Sequence, residues 1–242
     1  MDKALIGEFI GTMVLVLLGN GIVANLVLKK TKGEGGGGGG AWVMIAFGWT
    51  FAVMMGVFTA AACGSAGAHI NPAVTIGLAV ASGDFSKFFP YLIAQILGGL
   101  AGGILVYLHF LPHWAETPDK GGKLACFSTG PSIRNLGWAT LCETIGSFML
   151  VTGVAFIVAS KPAPGLAPFL IGGLVGAIGC GLGGTTGFAI NPARDLGPRI
   201  AHAILPIAGK GGSDWGYAPV PVVGGLVGGA LAGLFIQALH IL

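Results

Sequence analysis

The sequence predicts an all-α integral membrane protein with six transmembrane helices and two re-entrant half-helices, arranged as an inverted internal repeat. Three observations predict it. Only 9% of the 242 residues are charged and 54% are hydrophobic, with a mean hydropathy of +0.86. A soluble domain carries about 25% charged residues, so a surface this poor in charge is explained if most of it faces lipid. Six stretches are long and apolar enough to cross a ~30 Å hydrocarbon core, which takes about 20 helical residues each. Finally, three motifs recur in the same order in the two halves of the chain.

The candidate spans are residues 4–28, 41–62, 88–110, 137–160, 165–183 and 218–241. The first is longer than the core of a signal peptide and carries Glu8, so it reads as a span. Two further apolar segments, 72–82 and 192–205, are too short to cross. At 1.5 Å per residue, about ten residues make ~15 Å, half the hydrocarbon core. Two such half-helices entering from opposite faces together replace one span. The links 29–40, 112–135, 161–164 and 206–217 are polar or glycine-rich, and the glycine run 35–40 reads as flexible. Glycine makes up 46 residues, against a usual share of ~7%, and small residues let helix backbones approach closely in a membrane.

The repeats are explicit. Glu8-Phe9-Ile10-Gly11-Thr12 recurs as Glu143-Thr144-Ile145-Gly146-Ser147, with Leu15-Val16 and Leu150-Val151 in register. Asn71-Pro72-Ala73 recurs as Asn191-Pro192-Ala193. Gly98-Gly99-Leu100-Ala101-Gly102-Gly103 recurs as Gly224-Gly225-Leu226-Val227-Gly228-Gly229. One domain over 1–242 is expected, with repeats of about 4–110 and 137–241. Each holds three spans, an odd number, so the second enters the membrane upside down. Inverted repeats of this kind place a pathway at their interface, near the bilayer midplane.

Asn-Pro-Ala suits a helix start. The asparagine oxygen caps a free N–H of the first turn, and proline at the first helical position sacrifices no hydrogen bond. The NH₂ groups of Asn71 and Asn191 then point ahead of their helices. Where the two N-termini meet, two amide donors and two positive dipole ends face one short stretch of pore. A hydroxyl oxygen can accept there, whereas a cation meets a positive barrier. A single Asn-Pro-Ala would be an ordinary helix start; two at equivalent places point to function. Arg194 is an ionisable residue at membrane depth, hence a functional candidate, although a snorkelling side chain is the bland alternative. Beside Phe188 it offers donors to hydroxyls opposite an aromatic wall for carbon. Asp195 is expected to pair with a cation or cap the first turn. Glu8 and Glu143, inside spans, need partners, and the backbone N–H groups of segments 64–70 and 183–190 are the candidates. The carbonyls of those segments would then be left to line a pore.

Other classes find little support. A net charge of +3 with no basic face excludes a nucleic-acid partner. Cys63, Cys126, Cys142 and Cys180 show no metal-ligand or C-x-x-C spacing, so no disulfide framework, metal site or cofactor is expected. No nucleophile–base pair suggests an enzyme. A secondary transporter also uses inverted repeats and broken helices, but the chain has no ion-coordinating cluster beyond Glu8 and Glu143. An ion channel is disfavoured by two positive helix ends and Arg194.

The paired Asn-Pro-Ala motifs sit within Ser65-Ala66-Gly67-Ala68-His69-Ile70-Asn71-Pro72-Ala73-Val74-Thr75 and Gly187-Phe188-Ala189-Ile190-Asn191-Pro192-Ala193-Arg194-Asp195. These resemble the aquaporin (major intrinsic protein) family over nearly the whole chain. Phe188 three residues before Asn191, and Asp195 after the arginine, resemble its glycerol-facilitator (aquaglyceroporin) branch. The resemblance implies a multi-pass cell-membrane channel that passes glycerol, related small uncharged solutes and water and excludes ions and protons. A water-selective channel is the alternative within the family. It implies a selectivity filter of four residues, placed here at Trp49, Gly179, Phe188 and Arg194. The segment from Trp49 to Asn71 is about two residues longer than the usual pattern, so Phe47 or Phe51 competes with Trp49. Pore-lining carbonyls are implied at Gly67, Ala68 and His69 and at Gly187, Phe188 and Ala189, with the His69 side chain near the pore. A homotetramer with one pore per protomer, in a lipid bilayer, is implied too. Both termini are implied to be cytoplasmic. That topology puts Lys3, Lys87 and Lys161 inside and Lys29, Lys30, Lys32, Lys120, Lys123, Arg134 and Lys210 outside, three against seven once Arg194 and Arg199 are discounted as parts of the re-entrant segment. This count runs against the positive-inside rule.

Overall fold

Polar caps Asp2, Asn71, Asn135 and Asn191 open four of the helices that follow. A computed structural model of the chain describes residues 2–35 and 40–241; residues 36–39, most of the glycine run read as flexible, lie outside the described residues. Asp2 Oδ1 accepts from Ala4 N at 2.9 Å and opens α1 (Lys3–Val27). Helix α2 is Gly40–Ala62. Asn71 caps the short α3 (Pro72–Ser82) with Pro72 in its first turn, and α4 (Phe88–His109) follows. Asn135 caps α7 (Leu136–Ala159), accepting from Trp138 N at 3.1 Å. Then come α8 (Leu166–Leu182), the short α9 (Pro192–Ile204) capped by Asn191, and α10 (Pro219–Ala238).

Among the described residues, α1, α2, α4, α7, α8 with its extension to Thr185, and α10 are long and apolar enough to cross a membrane. Each half therefore runs long, long, short, long, within a few residues of the predicted spans. Two details differ from the sequence reading. The segment 183–190 is not irregular throughout, because Gly183–Thr185 continues α8 as a 3-10 turn. The link 112–135 is not a plain polar connection. It contains α5 (His113–Glu116) and α6 (Lys120–Ala125), and it buries Trp114, Cys126 and Phe127 against Val23 of α1, Val106 of α4 and Ala201 of α9. These buried residues follow no helical or strand period, so pattern reading passes over them.

The two six-residue glycine motifs lock the halves together. On α4, a Cβ at Gly98 would strike Phe9 O, and one at Gly102 would lie 2.7 Å from Met13 O, so this edge seats α1. The other edge seats α9: a Cβ at Gly99 would lie 2.5 Å from Ala193 O, and one at Gly103 3.0 Å from Pro198 Cα. On α10, Gly224 and Gly228 meet α7 in the same way, while Gly225 meets Pro192 and Gly229 meets Ala73 O. The last long helix of each half thus holds its own first helix on one edge and the short helix of the other half on the next, α10 also touching, through Gly225, the first residue of its own half's α9. Helix backbones come this close only where a side chain is missing.

Five of the seven cations counted on the expected outer side have local structural partners. Lys210 Nζ donates to the carbonyls of His202, Ala203 and Leu205 at 2.6–2.8 Å, closing the C-terminus of α9. Lys123 Nζ donates to Ala208 O. Lys29 pairs with Glu34, Lys30 with Glu116 and Arg134 with Asp214. Their placement answers to helix ends and loop contacts, a demand the positive-inside count does not consider.

Candidate functional site

The site is built on the two loops that enter the short helices. In each, the residues one and three positions before the asparagine adopt left-handed backbone: Ile70 at φ +45° and Ala68 at +42°, Ile190 at +40° and Phe188 at +39°. Left-handed conformation disfavours L-residues by roughly 1–2 kcal/mol each, and β-branched isoleucine is an outlier there. Two buried carboxylates hold these turns. Glu8 Oε1 accepts from Ser65 Oγ at 2.6 Å and His69 N at 2.8 Å; its Oε2 accepts from Ile70 N at 2.7 Å and Gln95 Nε2 at 2.8 Å. Glu143 accepts from Ala189 N at 3.0 Å and Ile190 N at 2.7 Å. Carboxylates inside spans are thereby satisfied by the irregular backbone, and that backbone by the carboxylates.

The asparagines bind the loops to each other. Asn71 Oδ1 accepts from Ala73 N, while its Nδ2 donates to Ile190 O at 2.8 Å. Asn191 Oδ1 accepts from Ala193 N and Arg194 N, while its Nδ2 donates to Ile70 O at 2.9 Å. One N–H of each amide is so used, and the second remains. With the N–H groups of His69, Ile70, Ala189 and Ile190 and the last carbonyl of each loop committed, the carbonyls of Gly67, Ala68, His69, Gly187, Phe188 and Ala189 receive no hydrogen bond from any described residue.

These loops border a cavity of about 320 Å³. Its wall combines Gly67, Ala68, His69, Asn71, Phe188, Ala189, Asn191 and Arg194 with apolar side chains from the long helices, among them Leu15, Val53, Val57, Leu150 and Val175. A second cavity of about 240 Å³ is lined by Ser128, Thr129, Gly187 and Trp42. Trp49, Phe188 and Arg194 line both, so the two spaces meet at these side chains. The Arg194 Cζ lies 4.2 Å from the centre of the Trp49 ring. Trp49 Nε1 and Arg194 Nη1 are buried donors without a partner among the described residues. Phe47 and Phe51, the competitors of Trp49, meet each other edge-on and are exposed, at 59% and 36% against 3% for Trp49. Gly179 lines neither cavity. A Cβ there would lie 2.9 Å from Phe188 Cζ, and its carbonyl accepts from Trp42 Nε1 at 2.9 Å. The His69 ring, hydrogen-bonded to Thr75 Oγ1 at 3.1 Å and edge-on to Tyr91, also borders a crevice of about 280 Å³ beside α3.

Asp195 does not face the cavity. Its Oδ2 accepts from Thr129 N and Oγ1 at 2.7 Å, and its Oδ1 accepts from Arg199 Nε at 2.9 Å and Nη2 at 2.7 Å. Arg199, fully buried, also donates to the carbonyls of Thr129, Ser213 and Asp214. This one ion pair ties both long links to α9. Sequence reasoning discounted Arg199; its place four residues after Asp195 on a helix was the available signal.

A model of the Major intrinsic protein family matches residues 1–236. The chain is a major intrinsic protein. It is 52% identical to the glycerol uptake facilitator protein 3 of Lactiplantibacillus plantarum, over 97% of this chain and 96% of that one. It is 54% identical to the probable glycerol uptake facilitator protein of Thermotoga maritima, over 93% of this chain and 94% of that one. Among solved structures, the aquaglyceroporin from Plasmodium falciparum aligns with a TM-score of 0.83 at 30% identity, over 98% of this chain and 96% of that one. This major intrinsic protein thus shares its fold, a multi-pass helical membrane channel, with an aquaglyceroporin.

Proposed function

We propose that this chain is a passive channel for glycerol, related small uncharged solutes and water. The names of the relatives support the solute class, and one observation carries the mechanism. Six carbonyls without protein donors line or adjoin a cavity walled otherwise by apolar side chains. An unsatisfied backbone group in a membrane interior is unfavourable by several kcal/mol, so these acceptors call for donors from whatever passes. A polyol fits: its hydroxyls donate to the carbonyls while its carbon edge lies on the apolar wall.

In this reading Asn71 and Asn191 present their second N–H groups to a passing oxygen at the mid-pore. Trp49, Phe188 and Arg194 form the constriction, Trp49 Nε1 and Arg194 Nη1 supplying donors. Gly179 contributes by leaving room for the Phe188 ring. In this reading ions and protons are excluded, the Arg194 charge and the positive ends of two helix N-termini opposing cations. Glu8, Glu143 and Asp195 are structural. The assembly is read as a homotetramer with one pore per protomer, on family resemblance.

Stopped-flow measurement on proteoliposomes tests the function. Vesicles containing the protein should re-swell in a glycerol gradient and stay shrunken in sucrose, with no conductance above that of empty vesicles. Glycerol flux that saturates and follows a proton gradient would instead indicate a transporter, and ionic current an ion channel.

A further inference from the structure

The constriction rests on a residue behind it. Trp42, half-buried in the first turn of α2, donates its indole N–H to Gly179 O at 2.9 Å, across to α8. Its ring meets that of Phe188 edge-on, with centroids 5.7 Å apart and planes at 80°. Gly183 completes the arrangement: a Cβ there would lie 2.5 Å from Phe188 Cδ1 and 2.7 Å from Trp42 Cζ2. Phe188 is thus enclosed by Gly179, Gly183 and Trp42 on the side away from the central cavity. Its own backbone, at φ +39°, is strained and does not by itself hold the ring. Trp49 faces the cavities and stacks under Arg194, so the two tryptophans, two helical turns apart on α2, have different tasks.

We propose that Trp42 is a specificity-determining positioning residue. It buttresses the Phe188 ring, and by occupying the Gly179 carbonyl it keeps that acceptor away from solute. It touches the solute path only at the second cavity and acts on selectivity through Phe188. Edge-to-face aromatic contact gives the ring a defined seat, where an aliphatic neighbour would let it tilt. With the buttress removed, the ring swings into the vacated space and the constriction widens toward α8. Solutes one carbon longer than glycerol then pass more readily.

The inference rests on the channel reading above, and its test separates the two. Permeabilities to glycerol, erythritol and water are measured by stopped-flow light scattering on proteoliposomes of wild type, Trp42→Ala, Trp42→Leu and Trp42→Phe. Each variant is first checked for a monodisperse elution profile. Trp42→Ala and Trp42→Leu should raise the erythritol-to-glycerol ratio by about threefold or more, modest beside the discrimination one methylene group can carry. Trp42→Phe, which keeps an aromatic edge against Phe188, should return the ratio to within about twofold of wild type. Should Trp42→Ala fail to fold, Trp42→Leu, which fills most of the volume, carries the test. Loss of all three fluxes in parallel with an unchanged ratio would mean that Trp42 is merely structural and overturns the proposal. Wild-type vesicles that pass no glycerol would overturn the channel reading and this inference together; normal wild-type flux with unaltered variant ratios overturns the inference alone.

Discussion

Asn71 and Asn191 each donate to the carbonyl immediately before the other, Asn71 Nδ2 to Ile190 O at 2.8 Å and Asn191 Nδ2 to Ile70 O at 2.9 Å. Each amide therefore caps its own short helix with its oxygen and clamps the opposite loop with its nitrogen. The exchange joins the two halves where the half-helices meet, and it orients what remains of each amide. A pair of independent caps would leave the loops free to separate; the reciprocal bonds do not.

Two functions of one side chain can be separated. Replacing Asn191 by Ala should cost about 2–3 kcal/mol, the sum of a lost N-cap and an orphaned carbonyl at Ile70. Asn191→Ser restores the cap but is too short for the cross-loop bond, so it should recover roughly 1 kcal/mol of that loss. Thermal unfolding of the purified variants in detergent checks the ranking. Equal midpoints for Ser and Ala would show that the cap contributes little.

The buried pair of Asp195 and Arg199 makes a stronger prediction. Removing one member leaves the other charge buried, so Asp195→Asn and Arg199→Met should each destabilise by roughly 3–5 kcal/mol. In a double-mutant cycle, the doubly substituted protein should lose much less than the two single losses combined. Limited proteolysis within 112–135 and 206–217 offers a second readout, because Arg199 holds carbonyls from both segments. Unchanged cleavage there would argue against the tethering role.

Helix contact through missing side chains is testable with a single methyl group. Gly229→Ala would drive a Cβ into Ala73 O, which belongs to the first turn of the opposite short helix. Overpacking of this kind destabilises by about 1–3 kcal/mol. Gly173 on α8 serves as the control, because a Cβ there would meet nothing within 4 Å. Gly173→Ala should be neutral or slightly stabilising, since alanine favours helix by up to ~1 kcal/mol. A similar loss at both positions, seen in unfolding midpoints, would remove close approach as the explanation.

Filter geometry supplies a functional prediction. Gly179→His adds a side chain where Phe188 Cζ already lies 2.9 Å from the Cβ position, so the ring must move into the constriction. Glycerol permeability should fall roughly tenfold, a barrier increase of about 1.4 kcal/mol, while water permeability stays within about twofold. Parallel stopped-flow measurements of both solutes decide it. Equal loss of both, in a folded protein, would count against this position as a determinant of solute size.

Much of the architecture was legible because the membrane imposes strong rules on sequence. Spans must be apolar over about 20 residues, and the observed helices follow the predicted stretches closely. The caps Asn71 and Asn191, and the length of α3, follow from local chemistry at an Asn-Pro start. The need of Glu8 and Glu143 for backbone donors followed from placing carboxylates at membrane depth, and the donors lie in the loops named for them. What was missed is instructive. Trp114, Cys126 and Phe127 are buried in a stretch read as polar, and the register ambiguity between Trp49, Phe47 and Phe51 had no local solution.

The sequence by itself determined the membrane setting, the six spans and two half-helices with their approximate lengths, the duplicated motifs and the residues able to cap or carry charge. All of these are properties of single segments and of the solvent they must meet. Tertiary structure alone decided which Asn reaches which carbonyl, that α4 holds α9 and α10 holds α3, and that Arg199 ties two links together. It also decided that Trp49 rather than its phenylalanine neighbours meets Arg194, with Trp42 behind Phe188. Those relations join residues tens to more than a hundred positions apart, and they depend on how closely glycine edges let the helices approach. A local pattern carries no information about that distance.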